Sequence, residues 1–191
     1  MYKEHKKFYI KKSSLHGNGL FASKNIKKKE TIFLIKGKEV NFLITNKESA
    51  DKINFDIFGI SKNKWIDPED RSWLYFNHSC NPNTCIKGRV TIVALRDIKR
   101  GEELTFDYSL NEADIFWNFK CNCGSKNCRK VIKSIQFLPK EVFVRDKFYV
   151  PKYFKMVYDK YHYTNFSDKR ELERAWIDFL NDKKNVWIKK K

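Results

Sequence analysis

The chain has 191 residues, of which 41% are hydrophobic and 16% aromatic. This length and composition allow a buried core, so extended disorder is not expected, and one domain with a small appendage is the simplest organisation. The formal charge is +17, from 40 Lys and Arg against 23 Asp and Glu. Such a charge favours a polyanionic partner such as nucleic acid, although an AT-rich genome would produce a similar composition.

Short strands separated by loops are expected over the first 110 residues. Apolar or alternating runs predict strands near residues 7–10, 31–35, 54–60, 90–95 and 103–106. Helical periodicity is lacking in this part of the sequence. We therefore predict a mostly β body of short strands in several small sheets, with a few helices.

The pattern changes after Cys128. A helix is expected around residues 153–161, and a second one further on, where apolar residues recur at helical spacing. These apolar residues are Leu172, Ala175, Trp176, Phe179 and Leu180. Because a lone helix this short is marginal in water, we expect both helices to dock on the body. Residues 131–191 are thus predicted to form a helical C-terminal extension.

Four short motifs carry the chemical information. They are His16–Phe21 (HGNGLF), Tyr75–Asn83 (YFNHSCNPN), Gly101–Tyr108 (GEELTFDY) and Cys121–Cys128 (CNCGSKNC). In this order and spacing they resemble the SET-domain lysine methyltransferases that carry a cysteine-rich post-SET segment. The resemblance spans about residues 8–130 and implies a SET, or β-clip, fold with a knot-like crossing. It divides the chain into a SET domain (1–110), a post-SET zinc segment (111–130) and the extension (131–191).

The resemblance also implies a site for S-adenosylmethionine, the methyl donor of this family. Glycines let a backbone bend and approach a ligand closely, and Gly17, Asn18 and Gly19 would hold the carboxylate end of the donor. Asn77 and His78 would complete the pocket, with His78 also bonding inside the fold. From the Gly-x-Gly pattern alone, an ordinary β-turn is the alternative. The chain has Leu74 where the family often has Arg, which bears on how the donor is anchored.

Tyr108 is the predicted catalytic residue. Methyl transfer to an amine is an in-line displacement that needs a neutral, oriented lysine and little water, and a tyrosine hydroxyl can orient that amine. Phe106 lies two residues earlier, on the same face of a strand. In the family this position influences how many methyl groups are added, and Phe implies di- or trimethylation. Glu102, Glu103 and Asp107 are interpreted as turn and scaffold residues.

Cysteine spacing indicates a metal site. Without a signal peptide disulfides are not expected, so the cluster Cys121, Cys123 and Cys128 favours metal binding. The resemblance supplies Cys80 as fourth ligand of a structural Zn²⁺, which would clip the post-SET segment over the active site. Cys85 is then a spare buried residue, although it could replace Cys80.

Aromatic residues precede the cysteine cluster. Phe116, Trp117 and Phe119 are expected to wall the lysine channel or pack on the adenine of the donor, and Phe119 is our candidate for the latter contact. The alternative for each is an ordinary place in the core.

Partners and location follow from the same motifs. The expected substrate is a histone, a nucleosome, a ribosomal protein or another basic, nucleic-acid-associated protein, with a possible nucleic-acid contact and no membrane. We expect an intracellular chain, in the cytoplasm or at chromatin, or in a host nucleus if it is a delivered effector. Two other functions compete: a non-catalytic SET-like binding module, and a zinc-containing nucleic-acid-binding protein.

Overall fold

The computed structural model describes residues 6–44, 46, 48, 56–162 and 169–181. Its strands are β1 Phe8–Lys12, β2 Asn18–Ala22, β3 Thr31–Leu34, β4 Gly37–Asn41, β5 Phe58–Gly59, β6 Lys64–Pro68, β7 Asn77–His78, β8 Thr84–Lys87, β9 Thr91–Ala94, β10 Glu103–Phe106, β11 Asn118–Lys120 and β12 Val131–Lys133. Its α-helices are α1 Lys140–Asp146, α2 Lys152–Tyr161 and α3 Lys169–Asn181. The predicted fold class, short strands with a helical appendage, is confirmed.

The strands form four small sheets. Their orders are β1-β2-β10-β7, β3-β9-β8, β4-β6-β5 and β11-β12. In the first sheet β7 lies parallel to β10, with Asn77 opposite Thr105 and His78 opposite Phe106. On its other side, β10 pairs antiparallel with β2, which follows the glycine loop. Strand β10 therefore lies between two of the predicted motifs and leads directly to Tyr108.

One hydrophobic core holds the sheets together. Its most buried side chains come from β2, β9, β10 and from the two turns that precede β3 and β10. They are Leu20, Ile26, Ile92, Ile98 and Leu104, each at most 1% exposed. Packing of these aliphatic groups fixes the register of β10 and with it the position of the residues that follow.

A second core lies under the helices. Helix α2 buries Tyr153, Phe154, Val157, Tyr158 and Tyr161, because these positions fall on one face of a 3.6-residue repeat. Helix α3 adds Trp176, Phe179 and Leu180. The same cluster includes Leu110 and Ala113, which come shortly after Tyr108. The helical part of the chain thus packs on the segment that leaves β10.

The boundaries proposed at residues 110 and 130 stay predictions. Among the described residues, no helix is both long and apolar enough to cross a bilayer.

Candidate functional site

Tyr108 begins a 3₁₀-helix, Tyr108–Asn111, at the end of β10. Asp107 caps this helix by accepting a hydrogen bond from the Ser109 backbone N–H at 3.1 Å, as expected for Asp at an N-cap. The backbone N–H of Tyr108 lies 3.3 Å from Nδ1 of His78. Parallel pairing of β7 with β10 therefore brings Tyr108 and the Asn77–His78 pair to one place.

The hydroxyl of Tyr108 has a fixed orientation. It donates a hydrogen bond to the Phe76 carbonyl oxygen at 2.5 Å, which leaves the lone pairs of the phenol oxygen as acceptors. Burial, with a smaller effect of the Glu103 charge, raises the pKa of Tyr108 above its usual range. The residue is thus a neutral phenol that can accept a hydrogen bond, and it is not a phenolate base.

The glycine loop is fastened from behind by Asn77. Its side-chain N–H groups donate to the carbonyl oxygens of His16 and Asn18, both at 3.1 Å, and to Oε1 of Glu103 at 2.7 Å. A Cβ on Gly19 would lie 2.3 Å from that same Glu103 oxygen, so this position requires glycine. Asn77 therefore holds the loop in place through contacts that depend on a glycine at residue 19.

The other end of the loop is tied to the same carboxylate. The hydroxyl of Ser13 donates to Glu103 at 2.8 Å, and the Ser13 backbone N–H bonds the Gly17 carbonyl at 3.0 Å. Gly17 itself has a φ of +50°, in the left-handed region that glycine adopts without strain. Glu103 is thus a scaffold residue, as its place in the motif suggested.

A cleft of about 560 Å³ opens beside these residues. Phe76, Asn77, His78, Phe106, Tyr108 and Phe119 line it. From the glycine loop the lining includes Leu15 and His16, whereas Gly17, Asn18 and Gly19 are not part of it. The predicted donor loop thus reaches the cleft through its first two residues, and the glycines shape its far side.

An aromatic cage surrounds Tyr108. Its ring lies 4.7 Å from that of Phe106, 5.3 Å from the His78 ring and 5.9 Å from the Phe119 ring, centre to centre. Burial lowers the pKa of His78 to about 3, with a further contribution from the Arg129 charge. His78 is therefore neutral and acts here as a packing and hydrogen-bonding group.

The charge of the cleft is opposite to that of the whole chain. Three acidic residues line it, Asp56, Glu112 and Asp114, against one basic residue, Lys120. Burial, together with the charge of Asp114, raises the pKa of Glu112 to about 7. The cleft is therefore suited to a cationic guest even though the chain carries +17.

Four cysteines converge next to the cleft. The sulfur atoms of Cys80, Cys121, Cys123 and Cys128 all lie within 4.8 Å of one another, and those of Cys80 and Cys121 are 3.9 Å apart. Zn–S bonds of about 2.3 Å in a tetrahedron place sulfurs roughly 3.8 Å apart. Cys85 lies elsewhere, buried in β8 against the Val93 carbonyl. The geometry thus fits a tetrahedral zinc site.

The surroundings of these sulfurs also suit thiolates. The backbone N–H of Arg129 donates to the Cys80 sulfur and that of Cys80 to the Cys123 sulfur, both at 3.4 Å. Burial raises the pKa of Cys80 and of Cys121. Ionisation of these two thiols therefore needs a cation beside them, and a Zn²⁺ ion provides one.

Sequence analysis missed a buried ion pair that connects the cysteine cluster to β10. Nη2 of Arg129 donates to Oδ1 of Asp107 at 2.6 Å, and the Asp107 side chain is fully buried. Removal of one partner from such a pair leaves an uncompensated buried charge. A signal was available, because a basic residue directly follows Cys128 and an acidic one directly precedes Tyr108, but nothing in the sequence pairs them.

Comparison with known proteins agrees with this site. Residues 17–109 match the family model of the SET domain, a range that includes the glycine loop, the Asn77–His78 pair and Tyr108. The chain therefore contains a SET domain.

Two relatives illustrate the similarity. The "Variant-silencing SET domain-containing protein" of Plasmodium falciparum is 36% identical over 137 residues, which cover 62% of this chain and 5% of that protein. The "Histone-lysine N-methyltransferase, H3 lysine-4 specific" of Aspergillus oryzae is 34% identical over 133 residues, covering 62% of this chain and 11% of that protein. The chain thus spans only a small part of the relatives that it matches.

A solved structure supports the fold. The crystal structure of KRYPTONITE in complex with mCHH DNA, an H3(1-15) peptide and SAH matches with a TM-score of 0.50 and 23% identity. The match covers 68% of this chain and 30% of KRYPTONITE. At this identity the likeness concerns the fold alone, and it agrees with the SET architecture.

Proposed function

We propose that this chain is an S-adenosylmethionine-dependent protein-lysine N-methyltransferase. One observation carries the proposal: within a SET domain, the acceptor oxygen of Tyr108 and the Asn77–His78 pair lie together in one aromatic cleft. The names of relatives such as the histone-lysine methyltransferase of Aspergillus oryzae support the same activity.

The cleft residues would prepare the amine for reaction. S-adenosylmethionine supplies a methyl group bonded to a positively charged sulfur. Because its proton is committed to the Phe76 carbonyl, the Tyr108 oxygen accepts a hydrogen bond from the lysine amine and turns its lone pair towards that methyl group. The rings of Phe106 and Phe119 exclude water, which favours the neutral, nucleophilic form of the amine.

The proposed donor site lies on the Asn77 side of the cleft. Asn77 holds the loop of residues 15–19 in position, and Leu15 and His16 form the wall that a ligand would meet. Phe119 faces His78 and Tyr108 across the cleft, a position suited to packing on the adenine. In this arrangement Gly17, Asn18 and Gly19 support the donor site.

The proposed substrate is a histone tail or another basic, nucleic-acid-associated protein. The acidic lining of the cleft, Asp56, Glu112 and Asp114, would attract a lysine-rich segment that the rest of a strongly basic surface repels. The H3 lysine-4 specificity in the name of the Aspergillus oryzae relative makes the H3 tail the first candidate. Chromatin is then the proposed place of action.

The proposal is tested with the purified full chain, labelled S-adenosylmethionine, and histone H3, nucleosomes and ribosomal proteins as acceptors. We expect label on lysine in at least one of them, and on an H3 tail peptide if H3 is the substrate. An otherwise identical peptide with arginine at the target position controls for specificity. If the chain binds the donor, by calorimetry, but labels none of these proteins, it is a non-catalytic module and the proposal is wrong.

Phe106 is proposed to permit di- or trimethylation. Its buried ring packs on Tyr108 and Phe76 and brings no hydroxyl into the cleft. The substitution Phe106→Tyr adds a hydroxyl that can hold a water molecule where a further methyl group would lie. We expect mass spectra of the peptide product to shift from di- or trimethyl-lysine to mainly monomethyl-lysine. A wild-type product that stops at one methyl group under excess donor would contradict this.

The four clustered cysteines are proposed to hold a structural Zn²⁺. With four thiolates and no open position, the ion has a structural role, not a catalytic one. It would fix the hairpin β11-β12, which carries Phe119, against the Asn77–His78 segment.

A further inference from the structure

Two turns that lie far apart in the sequence form one rigid, basic surface. These turns, Lys24–Glu30 and Arg96–Glu102, are called the basic platform below. They are joined by reciprocal backbone hydrogen bonds of 2.8 Å between Ile26 and Ile98. The backbone N–H of Arg100 also bonds the Asn25 side chain at 2.9 Å. Cross-links of this kind hold the side chains of both turns on one common surface.

The acidic residues of the platform are used to build the turns. Asp97 accepts the Lys28 backbone N–H at 2.8 Å, Glu30 accepts that of Lys27 at 3.1 Å, and Glu102 accepts that of Lys99 at 2.7 Å. These backbone bonds and nearby cations, such as Lys7 beside Glu30, lower the pKa of all three carboxyl groups. Each carboxylate is therefore committed to holding its turn.

The basic residues, in contrast, point outwards. Seven Lys and Arg side chains belong to the platform against three carboxylates. Five of the seven make no ion pair within 4.0 Å with any described carboxylate, and all five are exposed. They are Lys24, Lys28, Lys29, Lys99 and Arg100. The platform is thus a local excess of positive charge that its own fold leaves unneutralised.

The composition of the platform indicates the kind of partner. Its two apolar side chains, Ile26 and Ile98, are at most 1% exposed, so it has no group to insert into a lipid bilayer. It also lacks aromatic residues, so it cannot stack on bases. We propose that the basic platform binds the phosphate backbone of duplex nucleic acid without regard to sequence.

The platform lies away from the cleft. It begins β10 at one end, whereas Tyr108 follows the other end, seven residues after Gly101. At roughly 3.3 Å per strand residue, this separation is about 20 Å. A duplex on the platform would leave the cleft open. If the proposed methyl transfer is right, the preferred lysines are then those of proteins already bound to the same duplex.

The test measures binding of the full chain to a fluorescent 30-base-pair duplex by anisotropy, over a range of salt concentrations. The platform variant combines Lys24→Gln, Lys28→Gln, Lys99→Gln and Arg100→Gln. We expect its affinity to fall at least about tenfold, because four phosphate contacts are lost. The slope of log K against log salt should become shallower by about 3, given roughly 0.9 per phosphate contact.

A matched control removes the same charge elsewhere, at four exposed lysines outside the platform. It combines Lys38→Gln, Lys87→Gln, Lys140→Gln and Lys147→Gln. The proposal predicts that this variant keeps its affinity within about threefold. Equal losses in the two variants would show that binding depends on net charge alone and would overturn the proposal, as would tighter platform-dependent binding to phosphatidylserine vesicles than to the duplex.

Methylation separates this proposal from the proposed function. Circular dichroism and labelling of a free H3 peptide should be unchanged in the platform variant, since none of its four residues lines the cleft. Labelling of nucleosomes should fall. Without any methyl transfer by the wild-type chain, the duplex-binding result still stands or fails independently.

Discussion

The substitution Tyr108→Phe should lower the rate of methyl transfer at least about 100-fold, the scale found when an oriented catalytic group is removed. The change deletes one oxygen and leaves the ring in its aromatic cage of His78, Phe106 and Phe119. Only the acceptor that orients the amine is lost. The measurement is the initial rate of label incorporation into an H3 peptide, with donor affinity by calorimetry alongside.

A matched control for this substitution lies in the helical extension. The hydroxyl of Tyr161 is also bonded to a backbone carbonyl, that of Ala175 at 3.1 Å. Both Tyr→Phe changes leave one carbonyl oxygen without its partner, and each should cost about 1 kcal/mol of stability. The two variants should therefore melt alike, while Tyr161→Phe retains activity. An equal loss of activity in both would assign the effect to stability and would remove Tyr108 from the catalytic role.

Strands were predictable where one face meets the core. The run at residues 103–106 coincides with β10, whose burial follows from its central place in the sheet. Strand β4, Gly37–Asn41, has no buried residue and hence no alternation to detect. Gly37 was interpreted as the end of a run, yet it begins β4, because a Cβ there would lie 2.0 Å from the Asp67 carbonyl oxygen. Strand β7, at two residues, is too short to give a pattern.

The site was predictable as a set of motifs but not as a geometry. Family resemblance pointed to Tyr108, the Asn77–His78 pair and the four clustered cysteines, which the structure brings together. Motifs do not reveal long-range partners. Asp107 and Arg129 pair across 22 positions of the chain, and only the closure of the cysteine cluster brings them into contact.

The acidic cleft could not be predicted for a similar reason. Asp56 precedes β5, whereas Glu112 and Asp114 lie in the segment that packs on the helical extension. The backbone N–H of Ile135 bonds the Glu112 carbonyl oxygen at 2.8 Å. The charge at the cleft is therefore a product of tertiary packing in a chain whose overall composition suggests the opposite sign.

The second large effect is expected for Cys121→Ser. Loss of one ligand should reduce bound zinc from about one equivalent per chain to a small fraction of one. Because Cys121 and Cys123 also line the cleft, and Cys80 follows the Asn77–His78 pair by two residues, release of the ion would loosen two cleft walls together. Methyl transfer should then fall at least about tenfold. Zinc is measured by plasma emission and activity on the H3 peptide.

Cys85→Ala is the matched control, since Cys85 is equally buried but lies outside the cluster, in β8. It removes a thiol and should keep both the zinc equivalent and most of the activity. Retention of zinc in Cys121→Ser, or its loss in Cys85→Ala, would contradict the proposed ligand set. A loss of zinc with full activity would leave the site intact but deny it a role in the cleft, because the hairpin of β11 and β12 would then keep Phe119 in place without the metal.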